Sequence, residues 1–387
     1  MPATNKKEKA FREIDLDWLR VLATLAVFLY HSSRFFNLSD WHVKNNELSC
    51  GLHVFVIFTG QWLMPLFFVM SAVGAWHALT YRRWIKFIVE RFKRLVVPLV
   101  FGTIVLLIPV QVYIERVSHG DYSGSFLSFY PEYFNGFYAF GGNFAWMGLH
   151  LWYLEMLFVF SLITLPLLLL LQHKHCRKTI SNIIGMLNFP FGFLLPVLII
   201  FLMEYYMNVN IETFGRREFG GWSLFTYLVI FICGYVFMPD KTYRNMLINN
   251  RMLSLITGIA AFFTGFLLFR QGFSEHLTLY SFIRSLNSWT WLSAIFGFAS
   301  FYLTESNRLL THTHQGVMPF YVLHQTVIVV LGFVLAGLPL SIPFKFLILV
   351  LGSFAVIMGL YETVIKRCRI LRILFGMKGH KDVLEII

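Results

Sequence analysis

The chain has 387 residues, of which 57% are hydrophobic and 13% are charged, and its formal net charge is +12. Soluble domains carry about 25% charged residues, so this chain has too little polar surface to cover a water-soluble particle of its size. The composition therefore excludes an ordinary soluble domain and predicts an all-α, polytopic membrane protein, a helical bundle whose partner is the lipid bilayer.

Ten hydrophobic segments are long enough to cross the hydrocarbon core of a bilayer, which takes about 20 apolar residues per helix. They lie at residues 17–37, 53–79, 95–114, 149–171, 187–206, 222–238, 252–269, 285–303, 315–335 and 341–365. The second contains Gly60 and Pro65, which predict a kink, and the sixth and seventh are short enough to tilt or break. We predict one membrane domain over residues 1–387, with segments 1–16 and 366–387 outside the bilayer.

The positions of lysine and arginine predict the orientation of these helices. If the N-terminus is cytoplasmic, the cytoplasmic segments hold three times as many Lys and Arg residues as the opposite side. Because positively charged loops stay in the cytoplasm, both termini are predicted to be cytoplasmic. This asymmetry explains the net charge without a nucleic-acid partner.

The longest segment on the predicted outer side, at about 115–148, is rich in Tyr, Phe, Gly and Trp. Such a segment is too aromatic for a free linker. We expect it to lie on the outer interface or to fold over the mouth of a cavity, as an aromatic surface on which sugar rings could stack. Of the four cysteines only Cys50 is predicted to be on this side, so no intramolecular disulfide is expected there.

Two basic residues share one face of the first predicted helix. Arg20 and His31 are eleven residues apart, which on an α-helix is a rise of about 16 Å and a rotation of about 20° beyond three full turns. This stripe would suit a long substrate with an anionic end at the cytoplasmic face and a reactive end near His31. An arginine that reaches the headgroups and a histidine with a polar partner explain the spacing equally well.

A second basic pair follows the second predicted helix. Arg91 and Arg94 are three residues apart and would share one face of a helix, with Lys93 turned away and Pro98 at the entry of the third helix. Two guanidinium groups can hold a phosphate through bidentate hydrogen bonds. A positive-inside loop without a ligand is the more frequent explanation of such a pair.

Three more polar positions lie within predicted helices. Glu155 is at a depth similar to that of His31, where a carboxylate could orient an imidazole or raise its basicity. His150 is five residues earlier, about 140° around the helix, so His150 and Glu155 cannot both point straight at His31. His324 lies near mid-membrane beside Gln325, where a structural hydrogen bond between helices is the default expectation.

Three classes of function are compatible with these residues: an enzyme, a proton-coupled transporter or flippase for a glycan or lipid precursor, and a non-catalytic membrane partner of an envelope assembly. Buried His, Glu and Arg would suit a carrier, although no inverted repeat with broken helices is evident. The sequence contains no HExxH, CxxC, GxSxG or glycine-rich phosphate loop. These absences argue against a zinc protease, a redox protein, a hydrolase with a nucleophile elbow and a P-loop ATPase. No metal site is predicted.

Taken in order, these motifs resemble the acyltransferase-3 family of membrane acyltransferases. Arg20, ten intervening residues and His31 resemble the signature of the family's first helix. Arg91-x-x-Arg94 followed by Pro98 resembles its second basic motif, and PLFFVMSAVG resembles its second helix. The segments HLWYL, FYVLHQ and LRILFGMKG are most similar to the branch that contains a periplasmic glucan succinyltransferase.

The resemblance implies transfer of an acyl group, acetyl or succinyl, from cytoplasmic acyl-CoA to a hydroxyl of an extracytoplasmic carbohydrate or glycolipid at a bacterial inner (plasma) membrane. In this scheme His31 is the general base, and a covalent acyl-imidazole on His31 is a less favoured alternative. Glu155 is assigned as a second catalytic residue on depth alone. Arg20, Arg91 and Arg94 would bind the phosphates of coenzyme A.

Further expectations concern the acceptor and the cofactors. His150, Trp152 and His324 are candidate substrate-binding residues, and Arg34 is one candidate cation for a succinyl carboxylate. No cofactor is expected to be bound permanently, because acetyl-CoA or succinyl-CoA is a donor substrate. A homodimer is compatible with these assignments.

Overall fold

A computed structural model of the chain describes residues 13–189, 191–210, 220–270 and 276–377. Within these ranges all regular elements are helices, and the β-structure is one isolated bridge between Phe137 and Phe144. The prediction of an all-α fold is therefore confirmed. Residues 1–12 and 378–387, which belong to the two predicted cytoplasmic segments, lie outside the described residues.

The helices follow one another closely along the chain. Their bounds are α1 (Ile14–Arg34), α2 (Cys50–Gly60), α3 (Leu63–Tyr81), α4 (Trp84–Arg91), α5 (Val97–Ile104), α6 (Leu107–His119), α7 (Phe126–Glu132), α8 (Trp152–Ile163), α9 (Leu165–Gln172), α10 (Lys174–Met186), α11 (Leu195–Val209), α12 (Leu224–Phe237), α13 (Lys241–Asn249), α14 (Arg251–Arg270), α15 (Leu277–Tyr302), α16 (Arg308–Ala336), α17 (Ile342–Leu360) and α18 (Arg369–Leu374). Phe92–Val96 and Tyr361–Ile365 form π-helical turns. Each of the ten predicted segments coincides with one or two of these helices.

Five helices of the described chain are long and apolar enough to cross a membrane, or up to eight if each bent pair is one span. A polytopic membrane bundle is thus confirmed, whereas the number ten stays a prediction. The two remaining predicted segments coincide with α1 and α15. Helix α1 carries four charged residues, and α15 buries a run of serine, threonine and asparagine side chains that lowers its hydropathy.

Proline and glycine account for breaks within the long apolar segments. In the second segment, α2 ends at Gly60 and α3 begins at Leu63, with Pro65 in its first turn. Both helices belong to one span, Cys50–Tyr81, and the kink predicted there stays a prediction. Helices α5 and α6 meet at 41°, where Pro109 has no N–H to bond the carbonyl of Val105. The sixth segment ends in a bend of 103° between α12 and α13.

The chain divides into two compact units, each built from separate stretches of sequence. The first comprises residues 1–23, 58–88 and 160–311, and the second comprises residues 24–57, 89–159 and 312–387. The boundary falls inside α1, so its two halves belong to different units. The assignment of residues 1–387 to a single domain stays a prediction.

In the first unit, α3 packs on α12, and α15 packs on α11, α13 and α14. The α3–α12 contact is close because Gly234 has no side chain: a Cβ atom there would lie 2.9 Å from the Cα atom of Val69. The same unit buries a charged pair. The guanidinium of Arg284 lies 3.5 Å from the carboxylate of Glu204 and 4.1 Å from the ring centre of Trp222, so this intramembrane charge is compensated.

In the second unit, the aromatic segment 115–148 is folded, while its predicted position on the outer interface or over the mouth of a cavity stays a prediction. Tyr133 donates a hydrogen bond of 2.9 Å to the carbonyl of Thr103, and Tyr138 donates one of 2.6 Å to the carboxylate of Glu115. Burial, followed by the charge of Glu115, raises the pKa of Tyr138. The phenol therefore stays protonated and can act as a donor.

Candidate active site

Four histidines belong to the second compact unit and contact one another directly or through two glutamines. They are His31 of α1, His42 of the following loop, His150 immediately before α8 and His324 of α16. His42, His150 and His324 are buried. Three of the four were predicted from the sequence; His42 was missed because it lies in a loop outside the apolar segments.

His31 and His324 are hydrogen-bonded through their rings. The Nδ1 atom of His31 lies 2.9 Å from the Nε2 atom of His324, and the ring centroids are 5.0 Å apart. The two residues are 293 positions apart in the sequence. The structure thus shows the hydrogen bond between helices that was expected at His324, with His31 as the partner, and a role for His324 in substrate binding stays a prediction.

The backbone around His324 determines which nitrogens carry protons. The Nδ1 atom of His324 lies 2.5 Å from the carbonyl oxygen of Tyr321, so that nitrogen is the donor. In the neutral ring, Nε2 of His324 is then an acceptor and receives the hydrogen from Nδ1 of His31. The Nε2 atom of His31 is left with its lone pair, and none of the described residues donates a hydrogen bond to it.

Glu155 does not make the contact for which it was considered. The Nδ1 position of His31, where an orienting carboxylate would bind, is filled by His324. In the described part of the chain, Oε2 of Glu155 is buried without a hydrogen-bond partner. A catalytic role for Glu155 stays a prediction. Trp152, at the start of α8, is buried, and its role in binding the acceptor stays a prediction as well.

A second set of hydrogen bonds surrounds His150. Its Nε2 atom donates to the carbonyl of Val322 at 3.1 Å, and the hydroxyl of Tyr321 donates to the carbonyl of His150 at 2.6 Å. The side chain of Gln111 lies 3.4 Å from Nδ1 of His150 and donates to Thr326 at 2.6 Å. His150 is therefore held between α6 and α16 and packs edge-on against His324, with ring centroids 5.2 Å apart.

The same network continues to His42 and a carboxylate. Gln325 donates to Oε1 of Gln111 and to Nε2 of His42, each at 3.0 Å. Because Nε2 of His42 accepts, its Nδ1 atom carries the hydrogen and donates to Glu115. With these assignments, each ring N–H of His42 and His150 has an acceptor, and each ring nitrogen without a hydrogen has a donor. A fully satisfied buried network of this type is rigid.

Aromatic rings and a folded loop flank His31. The ring of Trp41 is nearly parallel to that of His31, at 16° and 6.5 Å between centroids, and Tyr30 contacts His31 edge-on. Lys44 holds the loop by donating to the carbonyls of Arg34 and Asn37. Burial, together with the charge of Arg34, lowers the pKa of Lys44 to about 8.

Arg20 belongs to the first unit and has acidic neighbours. It donates to Asp17 at 2.8 Å, one turn earlier on α1. Next to this pair, Arg244 binds the carboxylates of Glu13 and Asp15. Hydrogen bonding to His77, together with the charge of Arg244, outweighs burial and lowers the pKa of Glu13. An incoming phosphate would therefore share Arg20 with Asp17, a competition that the sequence motif did not indicate.

Arg91 and Arg94 belong to the second unit. Arg91 ends α4, and Arg94 lies within the π-helical turn Phe92–Val96. The wider turn changes the angle between two residues three positions apart, so α-helical spacing alone does not put both side chains on one face. Arg94 is exposed and Arg91 is half-buried. Their role in binding coenzyme A stays a prediction.

No group of three or more His, Cys, Asp or Glu side chains within residues 13–189, 191–210, 220–270 and 276–377 has the geometry of a metal site. The histidine cluster is instead held together by hydrogen bonds between rings, amides and one carboxylate. Its chemical capacity is proton transfer at the Nε2 atom of His31.

A model of an acyltransferase domain, Acyl_transf_3, matches residues 13–362, which is nearly the whole chain. Curated relatives named "Glucans biosynthesis protein C" come from Escherichia coli (strain SMS-3-5 / SECEC) and from Shigella dysenteriae serotype 1 (strain Sd197). Each is 30% identical to this chain over 156 residues, which is 39% of this chain and 38% of the relative. The match thus spans less than half of the relatives' length. No solved structure matches the chain.

Proposed function

This chain belongs to the acyltransferase-3 family, and on that premise we propose that it transfers an acyl group, acetyl or succinyl, from cytoplasmic acyl-CoA to a hydroxyl of an extracytoplasmic glycan or glycolipid. The observation that carries the proposal is the pair formed by His31 and His324. The 2.9 Å contact at Nδ1 of His31 leaves its Nε2 atom as a proton acceptor. His31 is the general base in this scheme.

The reaction follows from this protonation state. The acceptor hydroxyl loses its proton to Nε2 of His31 while its oxygen attacks the thioester carbonyl of the donor. The resulting intermediate collapses with cleavage of the carbon–sulfur bond. The imidazolium of His31 then returns the proton to the sulfur of coenzyme A. The products are the acyl ester and free coenzyme A, and His31 is neutral again.

His324 acts through His31. Its Nε2 atom accepts the hydrogen on Nδ1 of His31, which fixes the ring orientation and stabilises the positive charge that develops during proton transfer. The carbonyl of Tyr321, 2.5 Å from Nδ1 of His324, keeps His324 in the tautomer that can accept. His324 is thus a positioning residue, a different role from the substrate contact predicted from sequence.

The donor would be bound by the basic motifs. Arg20 and His31 lie on one helix, α1, with a rise between them of about 16 Å. This separation is within reach of the extended arm of coenzyme A between its phosphates and its thioester. Arg91 and Arg94 are the further candidates for the phosphates, because guanidinium groups bind phosphate oxygens bidentately.

The acceptor class is suggested by the relatives. Their printed name refers to the biosynthesis of glucans, and the aromatic segment 115–148 offers rings on which sugars can stack. We therefore infer a glucan or related glycan as acceptor and the inner membrane as the location. The family match favours this enzymatic function over the transporter that the sequence alone left open.

The test uses the full-length protein in lipid nanodiscs, with acyl-CoA and a glucan as substrates. Replacing the base (His31→Ala) should lower kcat by about 10²- to 10⁴-fold, the usual contribution of a general base. The readouts are release of free coenzyme A and mass spectrometry of the glucan. Circular dichroism establishes that the variant is folded.

His175→Ala is the matched control, because His175 is an exposed histidine outside this cluster. Its rate should equal that of the wild type. If a folded His31→Ala variant transfers acyl groups at the wild-type rate, His31 is not the base. If the wild type turns over no acyl-CoA, the donor assignment is wrong.

A further inference from the structure

An open pocket of about 350 Å³ lies in the aromatic segment between α6 and α8. All of its residues belong to the second compact unit and to the part of the chain that the charge distribution predicts to be outside the cell membrane. The lining residues are Arg116, Asp121, Tyr122, Phe129, Glu132, Gly141 and Asn143. The pocket is thus separate from the histidine cluster, although it is built on the same helix as Glu115 and Gln111.

Arg116 holds the walls of this pocket together. Its Nε atom donates to Oδ1 of Asn143 at 3.0 Å, and its NH2 group donates to the carbonyl of Gly142 at 2.8 Å. Asn143 in turn donates to the carbonyl of Glu132 at 3.2 Å. The helix and the two loops that line the pocket are therefore fixed before any ligand binds, which reduces the entropy cost of binding.

The pocket offers more acceptors than donors. The carboxylates of Asp121 and Glu132 are exposed, and the side chain of Asp121 has 54% of its surface accessible. Arg116 lies 3.6 Å from Asp121, so one carboxylate is compensated and the net charge of the lining is negative. An anionic ligand such as a lipid phosphate is disfavoured here, whereas hydroxyl groups donate well to carboxylates.

Aromatic rings supply the second element of a sugar site. Tyr122 lines the pocket with a half-buried ring, and the buried ring of Phe129 packs edge-on against it, with ring centroids 5.1 Å apart. Phe137 and Phe140 belong to the same segment and have 54% and 87% of their surface exposed. A sugar ring combines hydroxyl groups at its edge with apolar C–H faces, which is the combination that carboxylates and neighbouring aromatic rings recognise.

A chain of contacts joins this pocket to the proposed base. Arg116 follows Glu115, whose carboxylate accepts hydrogen bonds from His42 and Tyr138. His42 is bonded to Gln325 at 3.0 Å. Gln325 is the neighbour of His324, which contacts His31. The pocket and the proposed base are thus linked through chain neighbours and this hydrogen-bond network.

We propose that this pocket is a subsite for the acceptor glycan, and that it binds one or two neutral sugar units while a hydroxyl elsewhere on the glycan reaches His31. The proposal rests on the proposed function for the identity of the acceptor. It adds a place of binding that is distinct from the reacting centre. Asp121 and Glu132 accept the sugar hydroxyls, and Arg116 positions the walls.

Binding is measured without the donor, so that it does not depend on catalysis. The full-length protein in nanodiscs is titrated with neutral glucose tetrasaccharides of different linkage, and the association is followed by saturation-transfer NMR and calorimetry. Asp121→Asn combined with Glu132→Gln should weaken the binding about ten- to hundredfold, because two charge-assisted hydrogen bonds become neutral ones. In the transfer reaction, the same variant should raise the KM for glucan and leave the KM for acyl-CoA unchanged.

Glu47→Gln is the matched control, because Glu47 is an exposed carboxylate of the same unit that does not line the pocket. It should bind the tetrasaccharide as the wild type does. Equal affinity of the double variant and the wild type would overturn the proposal, and so would a wild type that binds no tetrasaccharide of the series. Binding that is lost in the double variant, in a wild type that transfers no acyl group, would leave the pocket standing and refute the proposed function.

Discussion

At the residue scale, the direction of one hydrogen bond determines the chemistry of the site. In a hydrogen bond between two histidine rings, either ring can be the donor. His31 can act as a base only if its Nδ1 atom is the donor, because its Nε2 atom then carries the lone pair. The carbonyl of Tyr321 selects that direction, because a carbonyl accepts and Nδ1 of His324 must donate to it. In the proposed mechanism, His324 therefore acts through His31.

Substitutions at His324 test this control. His324→Leu removes the acceptor for Nδ1 of His31, so kcat should fall about 10²-fold or more, with an unchanged KM for acyl-CoA. His324→Gln restores an acceptor oxygen near the position of Nε2 and should recover part of the lost rate. Steady-state kinetics of both variants in nanodiscs provide the measurement.

A purely structural role for His324 would give a different pattern. In that case both substitutions would lower the thermal stability and the amount of active protein together, and the glutamine variant would not regain kcat. Equal kcat values for the leucine variant and the wild type would remove His324 from the mechanism.

Sequence spacing identified the stripe of Arg20 and His31 because both lie on one helix and the helical period relates them. It could not assign His324 to Nδ1 of His31, since the partners are 293 residues apart and one sequence contains no information on which helices meet. Glu115 was missed for a related reason: it lies just beyond the predicted span 95–114, where a carboxylate is ordinary. The role of Gln325 could likewise not be predicted, because it follows from hydrogen bonds to His42 in a loop and to Gln111 in α6.

At the element scale, hydropathy predicted the helices well and their irregularities less well. The apolar length of a segment fixes whether it can span a bilayer, and each predicted segment is helical. The 41° bend after α5 coincides with Pro109, inside a segment that was predicted as one span. The π-helical turn at Phe92–Val96 was not predicted from the sequence, since hydropathy and helical spacing do not distinguish a π-helical turn from an α-helical one.

The π-helical turn matters for the basic motif that contains it. If Arg91 and Arg94 bind the phosphates of coenzyme A, Arg91→Gln combined with Arg94→Gln should raise the KM for acyl-CoA about tenfold or more, with kcat for the remaining bound donor unchanged. Lys93→Gln, which removes one positive charge from the same exposed turn, should change this KM by less than about twofold, because a screened surface charge contributes little.

If Lys93→Gln and the double arginine substitution have equal effects, the segment is a positively charged loop that sets membrane orientation and binds no specific ligand. Replacing both arginines by lysine separates charge from geometry. It should restore only part of the affinity, since lysine cannot form the bidentate contact.

At the scale of the whole molecule, the two proposed substrates approach from opposite sides of the membrane. The donor motifs lie in segments that the charge distribution places inside, and the sugar pocket lies in the segment that it places outside. This arrangement explains why the reaction would need a membrane bundle instead of a soluble enzyme. It requires the orientation that the charge distribution predicts.

The native cysteines provide a direct test of that orientation. The chain contains four free cysteines, of which Cys50 and Cys368 are exposed and Cys233 is buried. Cys50 begins α2, after the loop predicted to be outside, and Cys368 precedes α18 on the side predicted to be cytoplasmic. Variants that lack the half-buried Cys176 and retain only one of these two exposed thiols can be treated with a membrane-impermeant maleimide in right-side-out vesicles. The variant with Cys50 should be labelled at once, whereas the variant with Cys368 should be labelled only after the membrane is opened.

Inverted vesicles of the same preparation serve as the control and should reverse the pattern. The opposite result would place the sugar pocket in the cytoplasm, where it could not serve an extracytoplasmic glycan, and both the direction of transfer and the role of the pocket would then be wrong.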